Sequence, residues 1–189
     1  KGYGDISRRV VHYSLPGLSF REFLNFTKKQ DFKKYKLNEI LSNHKQLALE
    51  LTQTFRPIAE FKKYIKYGYY PFFIESIESY NHKLSNVVNV IIENDLPSVN
   101  NIEYRNLVSV KKLLYIIAHS VPFKANITKI SDRIGVSRNT VVQYLDYLHK
   151  ALLTINVYDK QKNYGILTKP EKIYLNNPNL IYTLADENS

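Results

Sequence analysis

The sequence predicts a mainly α-helical chain that ends in a helix–turn–helix and a small β-hairpin. Three observations carry that expectation. Apolar residues recur at helical spacing through much of the N-terminal half. Residues 126–153, NITKISDRIGVSRNTVVQYLDYLHKALL, read as a helix, a tight turn and a second helix. Strand-like stretches at 153–158 and 172–175 then flank a basic, flexible tip.

The elements follow in order. Residues 1–17 are polar and turn-rich. Ser19-Phe20-Arg21-Glu22 is a capping box, in which Ser19 and Glu22 satisfy each other's backbone amides, with Leu18 and Phe23 at the staple positions; a helix starts at Phe20. A basic connector with Lys28, Lys29, Lys33, Lys34 and Lys36 leads to an amphipathic helix carrying Leu37, Ile40, Leu41, Leu47, Ala48 and Leu51. Pro57 suits the first turn of the next helix, with Phe61, Tyr64 and Ile65, and Gly68 its end. Leu84, Val87, Val88, Ile91 and Ile92 mark a further helix that Pro97 is expected to stop. Leu107, Val110, Leu113, Leu114 and Ile117 mark another, halted before Pro122. The polar stretch 97–101 divides the chain into a helical region, 1–98, and a second domain, 99–189.

In the second domain Asn126 or Thr128 can cap the first helix of the pair, and Ile127, Ile130 and Ile134 form its apolar stripe. Gly135 permits the positive φ of the turn, and Ser137 caps the second helix. Val141, Leu145, Leu148 and Leu152 recur as one inward face; Asn139, Gln143, Asp146 and Lys150 occupy the other, with Arg138 and Thr140 in the first turn. A helix pair followed by a hairpin is the order of the winged helix, a module that most often binds duplex DNA. Asn and Gln can read adenine edges, Arg can read guanine or grip phosphate, and Lys129 and Arg133 could hold the backbone. Lys160 and Lys162 sit at the hairpin tip. The expected DNA-binding set is therefore Lys129, Arg133, Ser137, Arg138, Asn139, Thr140, Gln143, Lys150, Lys160 and Lys162, with Asp146 opposing phosphate.

Composition agrees with an anionic partner. There are 27 Lys+Arg against 17 Asp+Glu, a net charge of +10. A solvated Lys-rich surface explains the charge equally well. The absence of Cys excludes disulfides and thiolate metal sites, and the five His show no metal-ligand spacing, so no metal is expected. No apolar run reaches the roughly 18 residues of a membrane helix, and no signal peptide is apparent, so no membrane partner and a cytoplasmic location are expected. The chain starts at Lys1 and contains no Met, which points to a piece of a longer protein.

Several strings resemble AAA-type P-loop ATPases of bacteria and archaea that carry a domain of unknown function behind the ATPase core. They are Asp5-Ile6-Ser7-Arg8-Arg9-Val10-Val11 with Leu15-Pro16-Gly17-Leu18-Ser19-Phe20-Arg21-Glu22-Phe23-Leu24, residues 61–73 with Tyr67-Gly68-Tyr69-Tyr70-Pro71, which is similar to the family's Gly-Tyr-Pro segment, Glu93-Asn94-Asp95-Leu96-Pro97, residues 127–153, which are similar to its winged helix, and Lys169-Pro170-Glu171-Lys172-Ile173-Tyr174-Leu175. The resemblance implies a helical lid followed by a winged helix, packed beside the parent's own ATPase core. It implies ATP and Mg in that parent and no cofactor in this chain. G-x-x-x-x-G-K-[ST] is missing here, so the chain alone is expected to be catalytically inert. Arg8 and Arg9 sit where a trans-acting arginine could reach a γ-phosphate, although surface arginines explain them more simply.

These readings give a regulatory, DNA-binding region of an AAA-type ATPase. The alternatives are a winged-helix protein-interaction or homo-oligomerisation module, and a free-standing transcription regulator. A hydrolase built on Glu93 with Asp95, or Glu75 with Glu78, is disfavoured because carboxylates so spaced are normally solvated.

Overall fold

The computed structural model describes residues 11, 13, 15–100, 102–120, 126–158 and 170–186. It is mainly helical with one two-stranded antiparallel sheet.

Helix α1, Phe20–Lys28, starts on the capping box: the Glu22 amide donates to Ser19 Oγ at 3.3 Å, and the Ser19 amide to Glu22 Oε2 at 2.8 Å. It buries Phe23 and Leu24. Helix α2, Leu37–Thr54, is broken by non-helical dihedrals at Asn43 and buries no residue. The expected helix is present, but Leu37, Leu41 and Leu49 are 69%, 65% and 64% exposed, so its apolar side is not part of the core.

Helix α3, Pro57–Tyr67, begins with Pro57 at its first turn and is capped by Gly68. Gly68 has φ −100°, so a left-handed cap is not the reason for glycine there. A Cβ at this position would lie 2.7 Å from Phe23 Cδ2 and 2.7 Å from Tyr64 Cα, and close packing is what demands it. The segment then turns through a 3-10 turn, Pro71–Ile74, which inserts Phe73 against Phe23 with ring centroids 5.0 Å apart.

Helix α4, Tyr80–Val90, does not stop before Pro97. It runs through a π turn, Ile91–Asp95, into helix α5, Leu96–Asn100. A proline ring normally clashes with the carbonyl four residues earlier, here that of Glu93. The widened π turn falls on that stretch, and the Leu96 amide bonds back to the Ile91 carbonyl. The expected boundary at 98/99 therefore falls inside α5.

Helix α6, Tyr104–Ala118, lies at the centre, with Val110 and Leu113 fully buried. It packs on the π turn, on helix α7, Ile127–Ile134, on helix α8, Arg138–Lys150, and on strand β2, Lys172–Leu175. Strand β1, Thr154–Val157, pairs antiparallel with β2 in the register Thr154↔Leu175 and Val157↔Lys172. A last helix, α9, Pro178–Asp186, was not expected from the sequence. It returns to pack on α3, α4 and α6, and one cluster of buried side chains runs from Phe23 to Leu184.

Asn179 locks that return. Its side chain is 0% exposed and spends its whole hydrogen-bonding capacity. Nδ2 donates to the Tyr64 carbonyl at 3.0 Å and the Ile65 carbonyl at 2.7 Å, and Oδ1 accepts from the Tyr69 amide at 2.8 Å and from Tyr80 Oη at 2.5 Å. The two carbonyls belong to the last turn of α3, where helical partners run out. Asn177 adds a bond from Nδ2 to Tyr70 Oη at 2.9 Å.

Two outcomes follow from this packing. Asn179→Leu leaves buried donors and acceptors unsatisfied on three elements, and each such group costs about 1–3 kcal/mol. The variant is expected to lose about 3 kcal/mol or more in urea unfolding, and a loss below about 1 kcal/mol would remove Asn179 from this role. The second concerns alkali. Burial pushes the hydroxyls of Tyr80, Tyr70 and Tyr64 above the ordinary tyrosine value. A folded-state pKa raised above the unfolded one gives stability that is complete below the ordinary tyrosine range and is lost as pH climbs through it. Tyrosinate absorbance should therefore rise in two stages, the exposed tyrosines first, and these three with Tyr67 and Tyr144, which burial raises likewise, together with loss of helical signal. A single early stage with the helices intact would contradict the burial.

Candidate nucleic-acid interface

The helix pair is built by local rules that the sequence carries openly. Asn126, not Thr128, caps α7, accepting from the Lys129 amide at 3.1 Å. Ile127, Ile130 and Ile134 are buried beneath it, as expected. Gly135 follows at φ 73°, the left-handed conformation the turn needs, and no atom lies within 4 Å of where a Cβ would stand. Ser137 caps α8, accepting from the Thr140 amide at 3.1 Å.

Helix α8 faces inward through Val141, Leu145 and Leu148, all 0% exposed. Leu152 does not continue that face. Helix α8 ends at Lys150, and Leu152 sits beyond it at φ 59°, 65% exposed, in the turn that leads to β1. Leu153, 3% exposed, takes the inward place.

Arg138, Asn139 and Gln143 are exposed on the outward side of α8. Three other expected residues are already engaged. Ser137 Oγ and Thr140 Oγ1 are 2.8 Å apart, so both hydroxyls serve the helix cap. Lys150 Nζ lies 2.7 Å from Asp146 Oδ2, one helical turn back. That bond holds the Lys150 ammonium above its usual pKa, and the Asp146 carboxylate offsets its charge. The carboxylate that opposed the DNA reading is thus neutralised by a residue assigned to it.

Lys129 and Arg133 are exposed on α7. Arg133 also lines a cleft with Lys111 and Lys112 of α6, a cleft to which no described residue of α8 contributes. Lys160, Lys162, Arg8 and Arg9 lie outside the described residues.

Charge patterning by element shows a feature that counting over the whole chain hid. Residues 28–66 hold ten Lys/Arg against four Asp/Glu, whereas residues 126–153 hold four against two. Most of the +10 therefore belongs to the end of α1, α2, α3 and their connectors. Within that region Glu60 is 7% exposed and takes Lys28 at 2.9 Å and Lys63 at 3.1 Å. Burial raises its pKa, but the two lysine bonds outweigh burial and hold it below the usual carboxylate value. Among the described residues no three His, Asp or Glu cluster as a metal site, and no helix is long and apolar enough to cross a membrane.

Residues 58–189 match a family described as a domain of unknown function, DUF8612, and the chain belongs to that family. The chain is also similar to an uncharacterized protein of Methanocaldococcus jannaschii, 28% identical over 173 residues that cover 87% of this chain and 35% of the relative. It thus spans about a third of the length of that curated relative. No solved structure matches it.

Proposed function

We propose that this DUF8612 chain is a DNA-binding region of a larger protein, acting through a winged helix formed by α7, α8, β1 and β2. The observation that carries the reading is the outward side of α8, where Arg138, Asn139 and Gln143 stand exposed behind a cap that leaves their side chains uncommitted. Arg is the commonest guanine reader, and Asn and Gln suit adenine. Lys129 and the basic elements within 28–66 supply phosphate contacts.

The parent, in this proposal, is an AAA-type ATPase whose phosphate-binding core lies outside this chain. Support comes from the strings around Leu15-Pro16-Gly17 and from the 35% coverage of the archaeal relative, which leaves ample length for another domain. On that reading ATP and Mg belong to the parent, and the chain regulates rather than catalyses.

One observation favours a second reading, homo-oligomerisation. The exposed leucines of α2 are joined by Ile58, 71% exposed, and Phe61, 45% exposed, on α3. A self-association site would bury them, and its strength would change little with salt, unlike contacts to phosphate.

Fluorescence anisotropy with random duplex DNA decides between the two. Micromolar binding at low salt is expected. If the helix pair acts alone, its three unbalanced cations, Lys129, Arg133 and Arg138, give a log–log salt slope of about −3 at most; participation of 28–66 makes it steeper. Arg138→Ala and Gln143→Ala should each weaken binding at least about fivefold without unfolding the protein. Asp146→Asn should strengthen it by releasing Lys150. Absence of binding at low salt, with concentration-dependent dimers in sedimentation, would replace this reading with the second.

A further inference from the structure

We infer that the cleft between α4, the π turn, α6, α7 and α9 is a binding site for a small organic anion with an apolar body, a use that does not depend on the DNA reading. The cleft has a volume of about 570 Å³, within the roughly 300–1,000 Å³ of small-molecule sites. Its floor is aliphatic: Val88, Ile92, Leu114, Ile134 and Leu184 all line it and are each at most 7% exposed. Four separate helical segments converge on it, α4 with its π turn, α6, α7 and α9, so its shape is fixed by the core and not by a loop.

The polar groups of the cleft are mostly of one sign. Lys111, Lys112 and Arg133 line it, with Asn89 and Tyr115. Lys111 is balanced by Glu93, 2.6 Å away. Lys112 and Arg133 have no ion-pair partner among the described residues. An apolar floor with two unbalanced cations matches an amphipathic anion, the apolar part leaving water against the aliphatic side chains and the anionic end meeting the guanidinium and the ammonium. Ile92 reaches the floor from the π turn, a helix irregularity often found at functional sites. A neutral apolar ligand would gain nothing from Lys112 and Arg133, and a bare inorganic anion nothing from the floor.

The test uses octanoate, 1-octanol and inorganic phosphate as probes on the full chain, with amide chemical shifts recorded by NMR. Octanoate should bind saturably, one per chain, and move the amides of Asn89, Lys112, Tyr115 and Arg133. Octanol and phosphate should each bind at least about tenfold more weakly. Lys112→Gln and Arg133→Gln change exposed residues, so the fold is kept, and together they should cut octanoate affinity about tenfold or more while Lys172→Gln does not. Equal affinity for octanol, shifts centred on the exposed leucines of α2, unchanged affinity in the double variant, or no saturable binding would each overturn the assignment. If DNA binding fails while octanoate binds as described, only the proposed function falls.

Discussion

The side chain of Asn179 is the constraint on which the rest of the architecture hangs. Burying an amide is favourable only when every donor and acceptor is matched. Here the matches are the last carbonyls of α3, the amide that follows Gly68, and the hydroxyl of Tyr80 on α4. One residue thereby ties the C-terminal helix to two N-terminal ones. Gly68 makes the arrangement possible by letting the chain pass against Phe23 and Tyr64. Aromatic rings fill the space around it: Phe23 meets Tyr64, Tyr67 and Phe73 at centroid distances of 5.7, 6.2 and 5.0 Å. The return of α9 also brings Leu184 to the cleft, so the same lock that closes the core shapes the anion site.

What could be read in advance was whatever is encoded locally. The capping box of α1, Pro57 at the start of α3 and the Asn126–Gly135–Ser137 punctuation of the helix pair each act within one or two turns of backbone. What could not be read depends on partners far away in sequence. The Asn177-Pro178-Asn179 run looks like a turn until the Tyr64 and Ile65 carbonyls, more than a hundred positions earlier, are placed beside it. Strand β1 shows the same limit. Alternation alone would turn Ile155 and Val157 inward, yet Thr154 and Asn156 are the buried pair, at 1% and 8% exposure, and Asn156 donates to the Leu145 carbonyl at 3.0 Å. The tight turn at Leu152 sets that phase, and a one-residue change there inverts which side faces the core.

The candidate interface was legible as residue types but not as states. Lys150 counts as a cation until Asp146 is seen to hold it, and Ser137 and Thr140 count as donors to DNA until they are seen to hold each other. The candidate reading surface shrinks to Arg138, Asn139 and Gln143 on α8, with Lys129 exposed on α7. The cleft was invisible for another reason. Its cations, Lys112 and Arg133, look like ordinary helix-surface residues, and only the fold sets them over a common aliphatic floor.

Arg133 links the two readings, because it belongs to α7 and to the cleft at once. A guanidinium that engages an anion in the cleft cannot also grip a phosphate, so occupancy of the cleft would subtract one cation from any DNA complex. The loss would matter more for the helix pair than for the chain as a whole, since residues 126–153 carry four cations, Lys150 among them already paired, while 28–66 carry ten, of which Lys28, Lys33 and Lys63 are paired. Nonspecific attraction to an anionic polymer would therefore persist with the cleft full, and the contribution that weakens would be that of α7, the first helix of the pair. On the proposed function, such an arrangement would let a small anion tune positioning on DNA without abolishing attachment to it, the behaviour expected of a regulatory segment and not of an anchor.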